Sequence, residues 1–167
     1  MQNAHNYYNC TFTNFVECPV DNSIINMYNC TLINSTLTLS YWQKGATILI
    51  DSCTINNTTY LLRLPHYSMK KPITINENEI TSETSSGLII FYDDRTGGLA
   101  GELITQALLD LNNNTIILSN SSYIISGISK STVNNININF KDNIVNPDSI
   151  LLCNPTAYQN PNILITK

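Results

Sequence analysis

At 167 residues the chain is long enough for one domain with a core of its own, and 8 basic against 12 acidic residues, a formal charge of -4, leave no basic stripe to neutralise a phosphate backbone, so nucleic acid is not an expected partner. Hydrophobic residues make up 43%, yet no apolar run approaches the ~20 residues of a membrane span, and the opening MQNAHNYYNC lacks the basic-then-apolar pattern of a signal peptide. Asn, Ser, Thr and Ile dominate while Lys, Glu and Ala are few, which favours strands and turns and predicts an all-β chain.

Six units follow one another, each read as three short strands of period two. The first holds His5 and Tyr7, then Cys10 and Phe12, then Val16 and Cys18; the second Ile25 and Met27, Cys30 and Leu32, Leu37 and Leu39. In the third stand Ile48 and Ile50, Cys53 and Ile55, Tyr60 and Leu62; in the fourth Ile73 and Ile75, Asn78 and Ile80, Leu88 and Ile90. The fifth has Leu109 and Leu111, Asn114 and Ile116, Tyr123 and Ile125, and the sixth Ile138 and Phe140, Asn143 and Val145, Ile150 and Leu152. Between the first and second strand the spacing is odd, so the chain must turn if both sides are to stay inward. Asn9, Asn29, Ser52, Glu77, Asn113 and Asp142 occupy that corner, and Asn and Asp tolerate the left-handed conformation a tight corner needs. A second corner is predicted at Asn14, Asn34, Asn56 with Asn57, and Asn146. The repeated slot falls at residues 10, 30, 53, 78, 114 and 143, and the unequal steps put the variation in connectors rather than strands, as in a solenoid.

Stacked coils place Cys10, Cys30 and Cys53 above one another as small inward hydrophobes. Five cysteines is an odd count, which fits core thiols better than a disulfide framework, although a bridge from Cys30 to Cys10 or to Cys53 stays open. No CxxC or HxxxH spacing exists for zinc, and neither a metal nor a cofactor is expected. Asn78, Asn114 and Asn143 in the same slot imply either amides bonded along a ladder or a register shifted by one residue.

The segments IINMYNCTLIN, ILIDSCTINN, ITINENEIT and ININFKDNIV resemble the repeat of right-handed parallel β-helices, the pectate-lyase-like superfamily of polysaccharide lyases, polygalacturonases, phage tailspikes and surface adhesins. The resemblance implies a β-helix of about six coils over 1–152, with 153–167 as a cap or oligomerisation segment. It says little about activity. The first coil begins almost at Met1, so a preceding domain, a partner chain or a homotrimer is expected to cover that end.

The candidate chemistry lies in FYDDRTGG, where Asp93 and Asp94 beside Arg95 would be the catalytic pair if the protein is a glycosidase. The plainer reading is a polar strand exit. The Asn-Thr-Asp, Gly-His-Gly and Arg-x-Lys segments of polygalacturonases are absent. A lyase would use Asp51, Glu77 and Glu79 with Arg63 or Lys44, which are more simply solvated side chains. His5 and His66 are too far apart to suggest an acid/base pair. RTGGLAG with the following ELITQALLDL lacks a P-loop lysine, and Leu99, Leu103, Ala107 and Leu108 suit an inserted loop or short helix around 93–110. Trp42, Tyr67 and Tyr92, with Arg95, are the candidate glycan-binding residues, set at strand ends and in connectors. The expected function is a non-catalytic tailspike, fibre or adhesin module on a cell surface or virion, binding a cell-surface glycan; a polysaccharide-degrading enzyme and a purely structural column are the alternatives.

Overall fold

The computed structural model describes residues 4–17, 23–39, 46–65, 71–92, 107–128 and 136–167. All-β coils wind through three parallel sheets, so the chain is a parallel β-helix with three strands per coil. Sheet I contains β1 (Ala4–Tyr8), β4 (Ile24–Tyr28), β7 (Thr47–Asp51), β10 (Ile73–Asn76), β13 (Ala107–Asn112), β16 (Ile136–Lys141) and β18 (Ile163–Thr166), stacked in that order. Sheet II contains β2 (Thr11–Thr13), β5 (Thr31–Ile33), β8 (Thr54–Asn57), β11 (Glu79–Ser82), β14 (Thr115–Leu118) and β17 (Ile144–Asn146). Sheet III contains β3 (Val16–Glu17), β6 (Thr36–Thr38), β9 (Leu62–Pro65), β12 (Ile89–Tyr92) and β15 (Ile125–Ser126).

Inward side chains repeat in register. On sheet I, Ile25, Ile48, Ile73, Leu109 and Ile138 form one ladder, and Met27, Ile50, Ile75 and Leu111 a second beside it. Sheet II supplies Leu32, Ile55, Ile80 and Ile116. Nearly all of these are at most 1% exposed, and each fully buried Leu or Ile contributes roughly 1.5–3 kcal/mol. The predicted ladders of the first two strands therefore stand.

Sheet III shifts two predicted positions. Glu17, Leu37, Leu62, Ile89 and Ile125 share its register, so in the first coil Glu17 rather than Val16 takes the aligned slot, and Val16 is 65% exposed. In the fourth coil Ile89 and Phe91 point inward, and Ile90 does not. Leu61, Leu88 and Ile124 are buried as well, at the corner before the strand, so two consecutive apolar residues face the core and the period of two breaks there. Burial holds the Glu17 carboxyl above its ordinary range while His5 pulls it down. The predicted excursion at 93–110 ends earlier than expected, because Ala107–Asn112 is strand β13; residues 93–106 lie outside those described.

All six residues predicted for the corner between sheets I and II have positive φ: Asn9 (53°), Asn29 (52°), Ser52 (54°), Glu77 (54°), Asn113 (57°) and Asp142 (53°). Of the second predicted corner, Asn14 and Asn34 also have positive φ, whereas Asn57 turns inward and is fully buried. Its amide accepts from the Ser35 backbone N–H at 3.0 Å and donates to the Ser35 carbonyl at 2.7 Å. Glutamate is the least suited of the six side chains to a left-handed corner. Glu77→Asn is expected to raise stability by about 0.5–1 kcal/mol, read as a higher urea midpoint, because Asn meets the same backbone with less strain. An unchanged or lower midpoint would show that the Glu77 side chain offsets its strain.

The residue after this corner explains the repeated cysteine. Its backbone N–H points to the next coil, where the equivalent side chain accepts it: Cys30 N to Cys53 Sγ at 3.3 Å, Cys53 N to Asn78 Oδ1 at 2.8 Å, Asn78 N to Asn114 Oδ1 at 3.0 Å, and Asn114 N to Asn143 Oδ1 at 2.9 Å. The amides also bond one another at 2.9 Å and return a proton to a core carbonyl, Asn78 to Ile50 and Asn114 to Ile75. The ladder reading of the asparagines is thus the observed one. Cys10, Cys30, Cys53 and Cys153 are free thiols, and Cys18 lies outside the described residues.

At the other end, a 3-10 turn at Pro155–Gln159 follows the last coil, and β18 adds a seventh parallel strand to sheet I. Cys153 and Ala157 are fully buried beneath it. Among the described residues no helix is long and apolar enough to cross a membrane.

Candidate functional site

The corner from sheet I to sheet II is built identically in every coil, by the residue pairs 9–10, 29–30, 52–53, 77–78, 113–114 and 142–143. The connectors from sheet III back to sheet I are 18–23, 39–46, 66–72, 93–106 and 127–135, of very unequal length. Because sheets I and III are each continuous, the strand ends that these five connectors leave and enter lie along the same edge of the column, one pair per coil. The corner from sheet II to sheet III also varies, from two residues at 14–15 and 34–35 to six at 83–88 and 119–124, but the longest insertions in each coil start and end at the edge between sheets III and I, where loops can change without disturbing the rungs.

Trp42, Tyr67, Asp93, Asp94 and Arg95 belong to three of these connectors, on consecutive coils, and lie outside the described residues, as do Lys44 and His66. Tyr92 is described. It ends β12 at the root of the longest connector and is half-buried. Its hydroxyl donates to the Leu39 carbonyl at 2.6 Å, and the Arg63 guanidinium sits 4.0 Å from its ring centroid. Tyr92 therefore ties three coils together at the foot of the variable edge, with a cation–π contact of about 0.5–1 kcal/mol where exposed.

The carboxylates considered for a lyase stand elsewhere. Asp51 is on sheet I and accepts from Asn76 Nδ2 at 2.8 Å, Glu77 is in the corner, and Glu79 is exposed on sheet II. Arg63, on sheet III, is stacked on Tyr92 instead of facing them. These groups do not assemble into one proton-transfer site.

A polar face on sheet I escaped the sequence reading. Tyr8 and Tyr28 are in register on β1 and β4, and their rings stack at 5.2 Å with an interplanar angle of 7°. Tyr8 is 60% exposed. Beside them Asn26 Nδ2 donates to Asn6 Oδ1 at 2.8 Å, and Asn29 Nδ2 to Asn9 Oδ1 at 2.6 Å. Farther along the column Asn113 donates to Asn76, which donates to Asp51, and Asn139 donates to Asp110. An exposed aromatic pair edged by amides offers one apolar platform and several fixed donors and acceptors. The doubled tyrosine of NYYNC, set against NMYNC one unit later, was the available signal: one Tyr of the pair faces in and the other out.

No protein-family model, curated protein or solved structure matches the chain.

Proposed function

We propose that the protein is a non-catalytic recognition module of the tailspike, fibre or adhesin kind, displayed on a cell surface or virion, whose rigid column holds loops for binding cell-surface glycans. The observation that carries this reading is that the longest connector of each coil leaves sheet III and returns to sheet I, so that its ends lie at one edge, while the corner from sheet I to sheet II stays at two residues throughout. Three of those connectors contain Trp42, Tyr67 and Arg95, with Tyr92 at their base. Aromatic faces stack on sugar rings and amides bond their hydroxyls, and neither needs net charge. The resemblance of the repeat to pectate-lyase-like β-helices supports the same setting.

The test is a glycan array run beside a reducing-sugar and unsaturated-product assay on bacterial and plant polysaccharides, with mass state measured by sedimentation. Binding without turnover is the expected result. Trp42→Ala and Tyr67→Ala should each weaken that binding by about tenfold, the equivalent of ~1.4 kcal/mol, with no change in melting temperature. Turnover abolished by Asp93→Asn or Asp94→Asn would replace this reading with an enzyme. Neither binding nor turnover would leave a structural column. A trimer in sedimentation would accord with the tailspike form.

A further inference from the structure

Three thiols stand in one file at the end of the internal ladder, and their geometry suits more than packing. Cys10 Sγ donates to the Tyr8 carbonyl at 3.4 Å, Cys30 Sγ to that of Tyr28 at 3.3 Å, and Cys53 Sγ to that of Asp51 at 3.2 Å. Each contact reaches the carbonyl two residues back, so all three side chains adopt the same orientation. Parallel side chains in register repeat at the strand spacing, ~4.8 Å. A disulfide asks for Cβ atoms ~3.8 Å apart, closer than parallel neighbours in the file come. Two bonds of the zinc–thiolate length, ~2.3 Å, laid in a straight line span ~4.6 Å, which sets the scale for a sulfur–metal–sulfur link. Sulfurs that follow the strand spacing are thus about as far apart as a single ion held between them along the column axis requires.

We propose that Cys10 and Cys30 form a two-coordinate site for a soft monovalent d10 cation of the Cu(I) class. Thiolate sulfur selects such ions over hard ones. Among the described residues no three His, Cys, Asp or Glu side chains could hold a metal together, but a linear site needs only two. The pair is placed at Cys10 and Cys30 because a pair that includes the half-buried Cys10 can be reached from solvent, whereas Cys30 and Cys53 are both buried, at 1% and 2% exposed. On binding, two S–H bonds break, two metal–sulfur bonds form and both protons leave to solvent. No electron is transferred.

The probe is Ag(I), which shares the charge and linear preference of Cu(I) without its redox chemistry, added to reduced protein without oxygen. Native mass spectrometry should show one tightly held ion, with loss of Cys10 labelling by a maleimide. Cys10→Ser and Cys30→Ser should each abolish both effects, while Cys153→Ser leaves them intact. Cys10 lies on the partly exposed first coil, so Cys10→Ser keeps the fold by circular dichroism and alone decides the matter if Cys30→Ser unfolds. Unchanged uptake in Cys10→Ser, or undiminished Cys10 labelling with one equivalent of Ag(I) present, overturns the site.

Discussion

Gly127→Ala is expected to destabilise the protein by roughly 3 kcal/mol or more, enough to lower its urea midpoint steeply. Gly127 follows β15 and has φ of +83°, a backbone conformation that costs an L side chain about 1–2 kcal/mol. Steric overlap costs more than this backbone strain. A Cβ built there would lie 1.8 Å from the Phe91 carbonyl oxygen and 2.7 Å from its carbon, both backbone atoms of the adjacent coil. A flexible side chain could swing away, but β12 is held on one side by β9 and on the other by β15 itself. Relief therefore requires the coils to part, and Phe91 is a buried core residue whose neighbour Tyr92 anchors the variable edge. Gly87 sets the comparison. Its φ is +97°, yet its added Cβ would lie 3.0 Å from the Tyr123 carbonyl oxygen, so Gly87→Ala should cost only about 1–2 kcal/mol. Equal midpoints for the two alanine variants would show that the coils at Gly127 separate without resistance.

The fold was legible where sequence and backbone share a period. Strand alternation assigned inward and outward residues on sheets I and II, and the odd step at the corner between them picked out the six positive-φ residues of that corner, Glu77 and Ser52 included. On sheet III the reading slipped at Val16 and at Ile90, while Leu88 is buried as expected. The corner before that strand varies in length and buries its own apolar residue, so Leu61 and Leu62, or Leu88 and Ile89, give two inward residues in succession. Alternation cannot show which of such a pair is the rung. The candidate site was less legible still. Connectors 39–46, 66–72 and 93–106 have no period to read, and only sheet continuity brings their ends to one edge. The stacking of Tyr8 on Tyr28 needed the register of β1 against β4, which no single unit of the repeat contains.

Asn114→Ala should cost about 2–4 kcal/mol, and Asn114→Cys about half of that, although alanine and cysteine are both small and neither carries an amide. Asn114 is 1% exposed, and its Oδ1 is the acceptor for the Asn78 backbone N–H at 3.0 Å. The Asn78 side chain also donates to Ile50 O, and Asn143 Oδ1 keeps the Asn114 backbone N–H, so those groups retain a partner when the amide is removed. The Asn78 N–H does not. It sits at the corner, and leaving it unpaired in the interior carries the desolvation cost of a buried donor, about 1–3 kcal/mol, on top of the cavity. A thiol fills part of the space and supplies a sulfur acceptor, as Cys53 Sγ already does for the Cys30 N–H at 3.3 Å. Measured urea midpoints in the order wild type, Asn114→Cys, Asn114→Ala would show that the slot selects for an inward acceptor facing the neighbouring coil's N–H. Sulfur then satisfies that requirement at Cys53, for the Cys30 N–H, and an amide does so at Asn78, Asn114 and Asn143. Equal losses for the two variants would mean that the bonds running from amide to amide, which cysteine cannot make, hold this half of the column together.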